Sequence, residues 1–210
     1  RSTQSRSSAA SDVYKRQRRN LRKSRDVIPD DLLRELHAWL EQHNRHYLLA
    51  CYMLHYLFVR PKEMSYLKVG DFSVKRKTLH LHGSNTKNRN DAVITLPDHV
   101  LKLMLELGVF NSPSHYYLFG EGFMPSETYH SEKSFRDYWD RRVRKALNMS
   151  ARYKFYSLKD TGITNMLRAN TDILTVRDQA RHSSILITDI YTPKDIKEAN
   201  KCILGYRGVL

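Results

Sequence analysis

The chain is expected to be a mainly α-helical domain carrying a small three-stranded antiparallel β-sheet. Three observations predict this. Apolar residues recur at three- and four-residue spacing over most of the length. Between Asp71 and Leu96 that period gives way to short strand-like runs separated by Lys- and Asn-rich turns. The longest apolar run, Tyr47 to Phe58, contains His55 and is too short to span a bilayer, so no membrane partner is expected.

The first helix is expected to open at Pro29, which suits a first helical position, with Asp30 and Asp31 opposing the helix dipole. Leu32, Leu33, Leu36, Trp39 and Leu40 then follow at helical spacing. Tyr47–Phe58 is apolar nearly all round, which predicts a central core helix. Pro61 opens a short third helix through Leu67. Phe72-Ser73-Val74, Leu79-His80-Leu81-His82 and Ala92–Leu96 read as strands, joined by the basic turn Lys75-Arg76-Lys77 and a polar loop from Gly83 to Asp91. Helical patterning returns in Asp98–Leu107, Ser131–Leu147, Ser157–Ala169, Thr171–Ala180 and a short segment ending near Tyr191.

The 210 residues carry 36 Lys and Arg against 22 Asp and Glu, a formal charge of +14. Such an excess favours a polyanionic partner. The charge is unevenly spread: residues 1–25 hold nine basic residues and one acid, contributing +8 and leaving +6 for the rest. Residues 1–27 are therefore expected to be a basic disordered arm, a linker or an end artefact, with too little apolar content to order themselves. The absence of a starting Met points to a fragment. Residues 194–210 read as a weakly patterned tail. Cys51 and Cys202 are too few for a disulfide framework and fit a reducing, cytoplasmic setting.

Candidate chemistry gathers in separated motifs. Arg60 stands at the mouth of a helix in LFVRPKEM, three residues before Glu63. Lys87 and Arg89 lie in the polar loop between the second and third strands. Tyr156-Ser157-Leu158-Lys159 opens a helix. His182 follows Arg181 and precedes Tyr191 by nine residues in RHSSILITDIYT. Breaking a phosphodiester without a metal needs an oxygen nucleophile, positive charge around the phosphoryl oxygens, and a proton for the leaving oxygen.

The order Arg60, Lys87, a basic helix, His182, Tyr191 resembles the catalytic domain of the tyrosine recombinases, or phage integrases, over about residues 28–193. That resemblance implies the tyrosine recombinase catalytic-domain fold, and a domain spanning 28–193 without the family's N-terminal core-binding domain. It implies cleavage and rejoining of double-stranded DNA through a 3′-phosphotyrosyl intermediate, with no cofactor and no metal. It also implies a tetramer on paired DNA sites and a monomer in the absence of DNA. By the same resemblance Tyr191 is the nucleophile, Arg60 a phosphate clamp, Lys87 the donor to the leaving hydroxyl, and His182 the family's histidine. Tyr156 and Lys159 stand where most members carry His and Arg. Lysine keeps the charge but loses the bidentate fork, and tyrosine does not titrate near neutrality. Arg181 stands where the family usually has Gly, and is expected to face solvent or to add a DNA phosphate contact; Arg89 is a further DNA-binding candidate. Arg60, Lys159, His182 and Tyr191 are expected to converge on one basic concave face.

The alternative is a degenerate recombinase-like domain that binds DNA without cleaving it, motivated by Tyr156 and Lys159. A metal-dependent nuclease would need a carboxylate cluster that the spacing does not offer. His80 and His82 share a strand face but lack further zinc ligands. A type IB topoisomerase is a weaker match to the RHSSILITDIYT run.

Overall fold

The computed structural model describes residues 26–86 and 89–192. Residues 1–25 of the arm expected over 1–27, the loop lysine Lys87 and the tail expected over 194–210 lie outside them. Helix α1 (Asp30–His43) starts behind Pro29 with Asp30 and Asp31 in its first turn. Asn44 both ends it and caps α2 (Arg45–His55), accepting a hydrogen bond from Tyr47 N–H at 2.8 Å. Tyr47, Leu48, Leu49, Ala50, Cys51, Met53 and Leu54 of α2 are all buried, so this helix is the centre of the core. The sequence predicts this helix through Phe58, but it stops at His55, because the chain reverses before α3 (Pro61–Tyr66).

Strands β1 (Phe72–Ser73), β2 (Thr78–Leu81) and β3 (Ala92–Thr95) pair antiparallel in that order. Leu79 sits opposite Phe72 and Ile94, and all three are buried, whereas Val93 on the other face is exposed. That alternation gives the sheet one core face. Helix α4 (Asp98–Glu106) follows. The stretch from Leu107 to His130 carries no long element; three-residue 3₁₀ turns and lone bridges of Tyr117 to Lys68 and Ser126 hold it against the core.

The single helix expected over Ser131–Leu147 divides into α5 (Glu132–Tyr138), a π-helical turn (Trp139–Val143) and α6 (Arg144–Ala146). Phe135, Trp139 and Val143 explain the division. They are buried at a strict four-residue spacing, which drifts by about 40° per step on an α-helix. A wider π turn brings them back into line. Trp139 Nε1 then donates to the Tyr153 carbonyl at 2.9 Å.

Helix α7 (Ser157–Arg168) packs closely on α2. Gly162 makes the approach possible: a Cβ there would lie 1.9 Å from the His55 carbonyl oxygen. Helix α8 (Ile173–Ala180) is capped by Asp172, which accepts from Thr175 N–H at 2.9 Å, so it starts two residues later than the pattern predicts. Helix α9 (Ile185–Asp189) is capped by Ser184. The Gln179 amide both accepts from Thr95 N–H and donates to Thr95 O, at 3.0 and 2.9 Å. It thereby covers part of the β3 edge and ties the sheet to α8. No helix of the described residues is long and apolar enough to cross a membrane.

Candidate active site

The site is built on the reversal after α2. Phe58 has φ 56°, in the left-handed region that a bulky side chain rarely adopts. Val59 N–H closes the reversal on the Met53 carbonyl at 3.1 Å. The Phe58 ring is fully buried with Ile163, Val176 and Ala180, and Tyr191 packs against this cluster. That packing fixes the conformation. The Phe58 carbonyl accepts from Lys159 Nζ at 2.7 Å and from Arg181 Nη2 at 3.4 Å.

Two residues later Arg60 occupies the cap position of α3. Its backbone N–H and its Nη1 donate to the two Glu63 carboxylate oxygens, each at 2.8 Å. Glu63, only 3% exposed, also receives Arg181: Nη1 to Oε1 at 3.0 Å and Nη2 to Oε2 at 2.6 Å. One buried carboxylate therefore orients two guanidinium groups from distant parts of the chain. Burial pushes the Glu63 pKa up, but the bonds and charges of Arg181 and Arg60 outweigh it and hold the group below the usual carboxylate value.

Lys159 enters the same cluster from α7 and is 2% exposed. Burial first, then the charges of Arg60 and Arg181, push its ammonium well below the usual lysine pKa. His182 follows the α8 terminus, where Arg181 takes φ 54° and ψ 46° and ends the helix. Its Nδ1 is hydrogen-bonded to Thr188 Oγ1 of α9 at 2.9 Å. Burial, followed by the charges of Lys159, Arg60 and Arg181, lowers the His182 pKa to about 4, so the ring is neutral at pH 7. The Tyr191 ring lies near-parallel to the His182 ring, with centroids 6.3 Å apart. The Tyr191 hydroxyl donates to Asp160 Oδ1 at 2.9 Å.

Arg60, Lys159, Arg181, His182 and Tyr191 thus form one connected cluster, although they come from four separated stretches of sequence. Arg60, Arg181 and His182 line a cavity of about 230 Å³. Arg89, exposed in the loop, lines an adjoining cleft of about 700 Å³ with Arg60 and Lys62. Tyr156 is half-buried in the cap position of α7. Two expectations are corrected. Arg181 does not face solvent: its side chain is 11% exposed, because Glu63 draws it inward. Lys159 is part of the cluster but does not line the cavity, because the Phe58 carbonyl holds it beneath. The motif pattern does not point to Asp160; its one signal in the sequence is that of an acid in the first turn of the helix opened by Tyr156. His80 and His82 pair instead with Asp91 and Asp71, at 3.5 and 3.0 Å. No group of three potential metal ligands occurs among the described residues.

The phage integrase family model matches residues 27–198. The chain belongs to the phage integrase family. Solved structures with the same fold include XerA recombinase, with a TM-score of 0.66 at 18% identity, over 85% of this chain and 62% of that one. The Tn1549 transposon integrase in complex with circular intermediate DNA gives a TM-score of 0.67 at 12% identity, over 81% of this chain and 63% of that one. XerH recombinase bound to its difH substrate gives 0.65 at 15% identity, over 84% and 53%. The chain therefore spans less than two thirds of these proteins. No curated protein matches it. Within this integrase-family domain, the sheet, the α2–α3 reversal and the ends of α7, α8 and α9 position the cluster.

Proposed function

We propose that this domain is the catalytic part of a site-specific DNA recombinase that cuts and rejoins double-stranded DNA through a 3′-phosphotyrosyl intermediate. What supports this most is the setting of Tyr191: its hydroxyl is bonded to Asp160 and its ring lies against His182, which shares a cavity with Arg60.

In the proposed step the Tyr191 oxygen forms a bond to the scissile phosphorus as the bond to the 5′ oxygen breaks. Asp160 already accepts the hydroxyl hydrogen bond, so it is in place to take the tyrosine proton. Arg60, held by Glu63, offers its fork to the phosphoryl oxygens, where negative charge builds in the transition state. A neutral His182 contributes hydrogen bonding rather than charge. The departing 5′ oxygen takes a proton from Lys87, the role that the family resemblance gives it. The phosphotyrosyl ester conserves the bond energy, so rejoining needs no cofactor. Exchange of two duplexes involves four strands and hence four nucleophiles, which is the basis for a tetramer on paired sites. A cytoplasmic, DNA-associated location follows from the same role.

The test uses a randomised library of suicide duplexes, nicked so that the cleaved fragment diffuses away. The wild-type chain should form a covalent protein–DNA band. Tyr191→Phe should form none while still shifting DNA in a gel, because affinity rests on many phosphate contacts. A Tyr191→Phe variant that still forms the band would assign the nucleophile elsewhere, with Tyr156 the first suspect. The binding-only alternative is favoured by the burial of Lys159 away from the cavity. Its signature is a gel shift by the wild-type chain with no covalent band.

A further inference from the structure

We propose that Arg181 is the second guanidinium of the scissile-phosphate clamp, opposite Arg60, while Lys159 beneath them is a positioning residue that does not touch the phosphate. This rests on the recombinase function proposed above and names the residues that hold its substrate.

Four observations carry it. Arg181 and Arg60 line the same cavity with His182, whereas Lys159 is absent from its walls and spends its ammonium on the Phe58 carbonyl. An anion entering that cavity meets the two guanidiniums and not the amine. Glu63 grips both guanidiniums, and its single charge cannot neutralise two, so the trio keeps a net positive charge. Asp91 also lines the cavity and keeps its charge, but its two oxygens face Gly83 N–H at 2.6 Å and the His80 ring at 3.5 Å, and its side chain is 69% exposed, so solvent screens it.

Arg181 also stands at a backbone position that favours glycine, with φ 54°. A strained conformation persists where the surroundings over-determine it, and here the bonds to Glu63 and Phe58 do so. Finally, Arg181 Nε is buried and has no hydrogen-bond partner among the described residues. An unpaired donor of a charged group is costly, and a small shift of the guanidinium towards a phosphoryl oxygen would relieve it. With five N–H donors, Arg181 can keep its bonds to Glu63 and Phe58 and still offer Nε–H and the second Nη1–H to a phosphoryl oxygen, which a lysine on the same stem cannot do.

Arg181→Gly is the direct test, because glycine accepts the left-handed backbone and the fold should persist; thermal melting checks this. Covalent trapping should fall by at least about 100-fold, the loss expected for one transition-state donor. Arg181→Lys should recover only part of that rate, since it restores charge without the fork. Lys159→Met should lose less cleavage than Arg181→Gly. Greater loss for Lys159→Met, or trapping at the wild-type rate by Arg181→Gly, would overturn the assignment. Salt dependence of DNA binding decides the matter even if the wild-type chain proves unable to cleave. The slope of log affinity against log salt should drop by about one for Arg181→Gly and stay unchanged for Lys159→Met. An unchanged slope for Arg181→Gly would remove the phosphate contact while leaving DNA binding intact.

Discussion

At the scale of single residues, Glu63 decides more of the site than its surface-like sequence context suggests. As one of a neighbouring Arg–Glu pair it would contribute little if exposed. Burial changes that: its carboxylate answers Arg60 from three residues away and Arg181 from 118 residues away. Removing one partner from such a buried group leaves the others uncompensated. Glu63→Gln is therefore expected to destabilise the fold by about 3 kcal/mol, measured by guanidinium denaturation. In a double-mutant cycle with Arg181→Gly the combined loss should be smaller than the sum. A cost below about 1 kcal/mol with full additivity would mean that water screens the pair as at an open surface.

At the scale of elements, the contact of α7 on α2 sets the depth of Lys159 and Asp160 relative to the Phe58 reversal. That contact depends on a bare Cα at Gly162. Gly162→Ala places a methyl carbon 1.9 Å from the His55 carbonyl oxygen, a backbone atom that cannot move aside without shifting α2. The helical preference of alanine is worth about 1 kcal/mol and does not compensate for such overlap. Net destabilisation of about 2 kcal/mol or more is expected, together with loss of covalent trapping as Tyr191 and Asp160 separate. A stabilised Gly162→Ala variant in thermal melting would show that the two helices slide apart freely. The same scale explains why α8 carries more than its length implies. Its Gln179 holds the β3 edge and its terminus delivers Arg181 and His182, so one short helix ties the sheet to the cluster.

At the scale of the whole molecule, two half-buried histidines link stability to pH. His55 Nδ1–H donates to the Leu158 carbonyl at 3.0 Å. Burial lowers its pKa to about 4, partly offset by that carbonyl. His182 is lowered to about 4 as well, by burial and then by the neighbouring cations. In the unfolded chain both should titrate near the usual 6.5. Between those values the unfolded state binds more protons, so stability rises with pH. The contribution is complete above about pH 6.5 and is lost as pH falls through about 4. The melting temperature should accordingly fall across that window. A His55→Gln, His182→Asn double variant should show a flatter acid limb; an unaltered limb would place the titration on other groups.

The class and order of the elements follow from local periodicity and were legible in the residues alone: the all-apolar turn-by-turn pattern of Tyr47–Phe58, the alternation around Leu79 and Ile94, the acids behind Pro29. It also singled out Arg60, His182 and Tyr191 as candidates, and the fold brings these three into one cluster. Periodicity carries no information about the path between elements, so the helix end at His55 and the π turn at Trp139 were not legible there. Both depend on which side chains must be buried together. That Lys159 lies beneath the cavity and Arg181 within its wall became visible only in the folded chain. Each outcome is set by a partner more than a hundred residues away, the Phe58 carbonyl in one case and the Glu63 carboxylate in the other. A buried charge goes where its counter-charge and hydrogen bonds are, and those become neighbours only when the chain has folded.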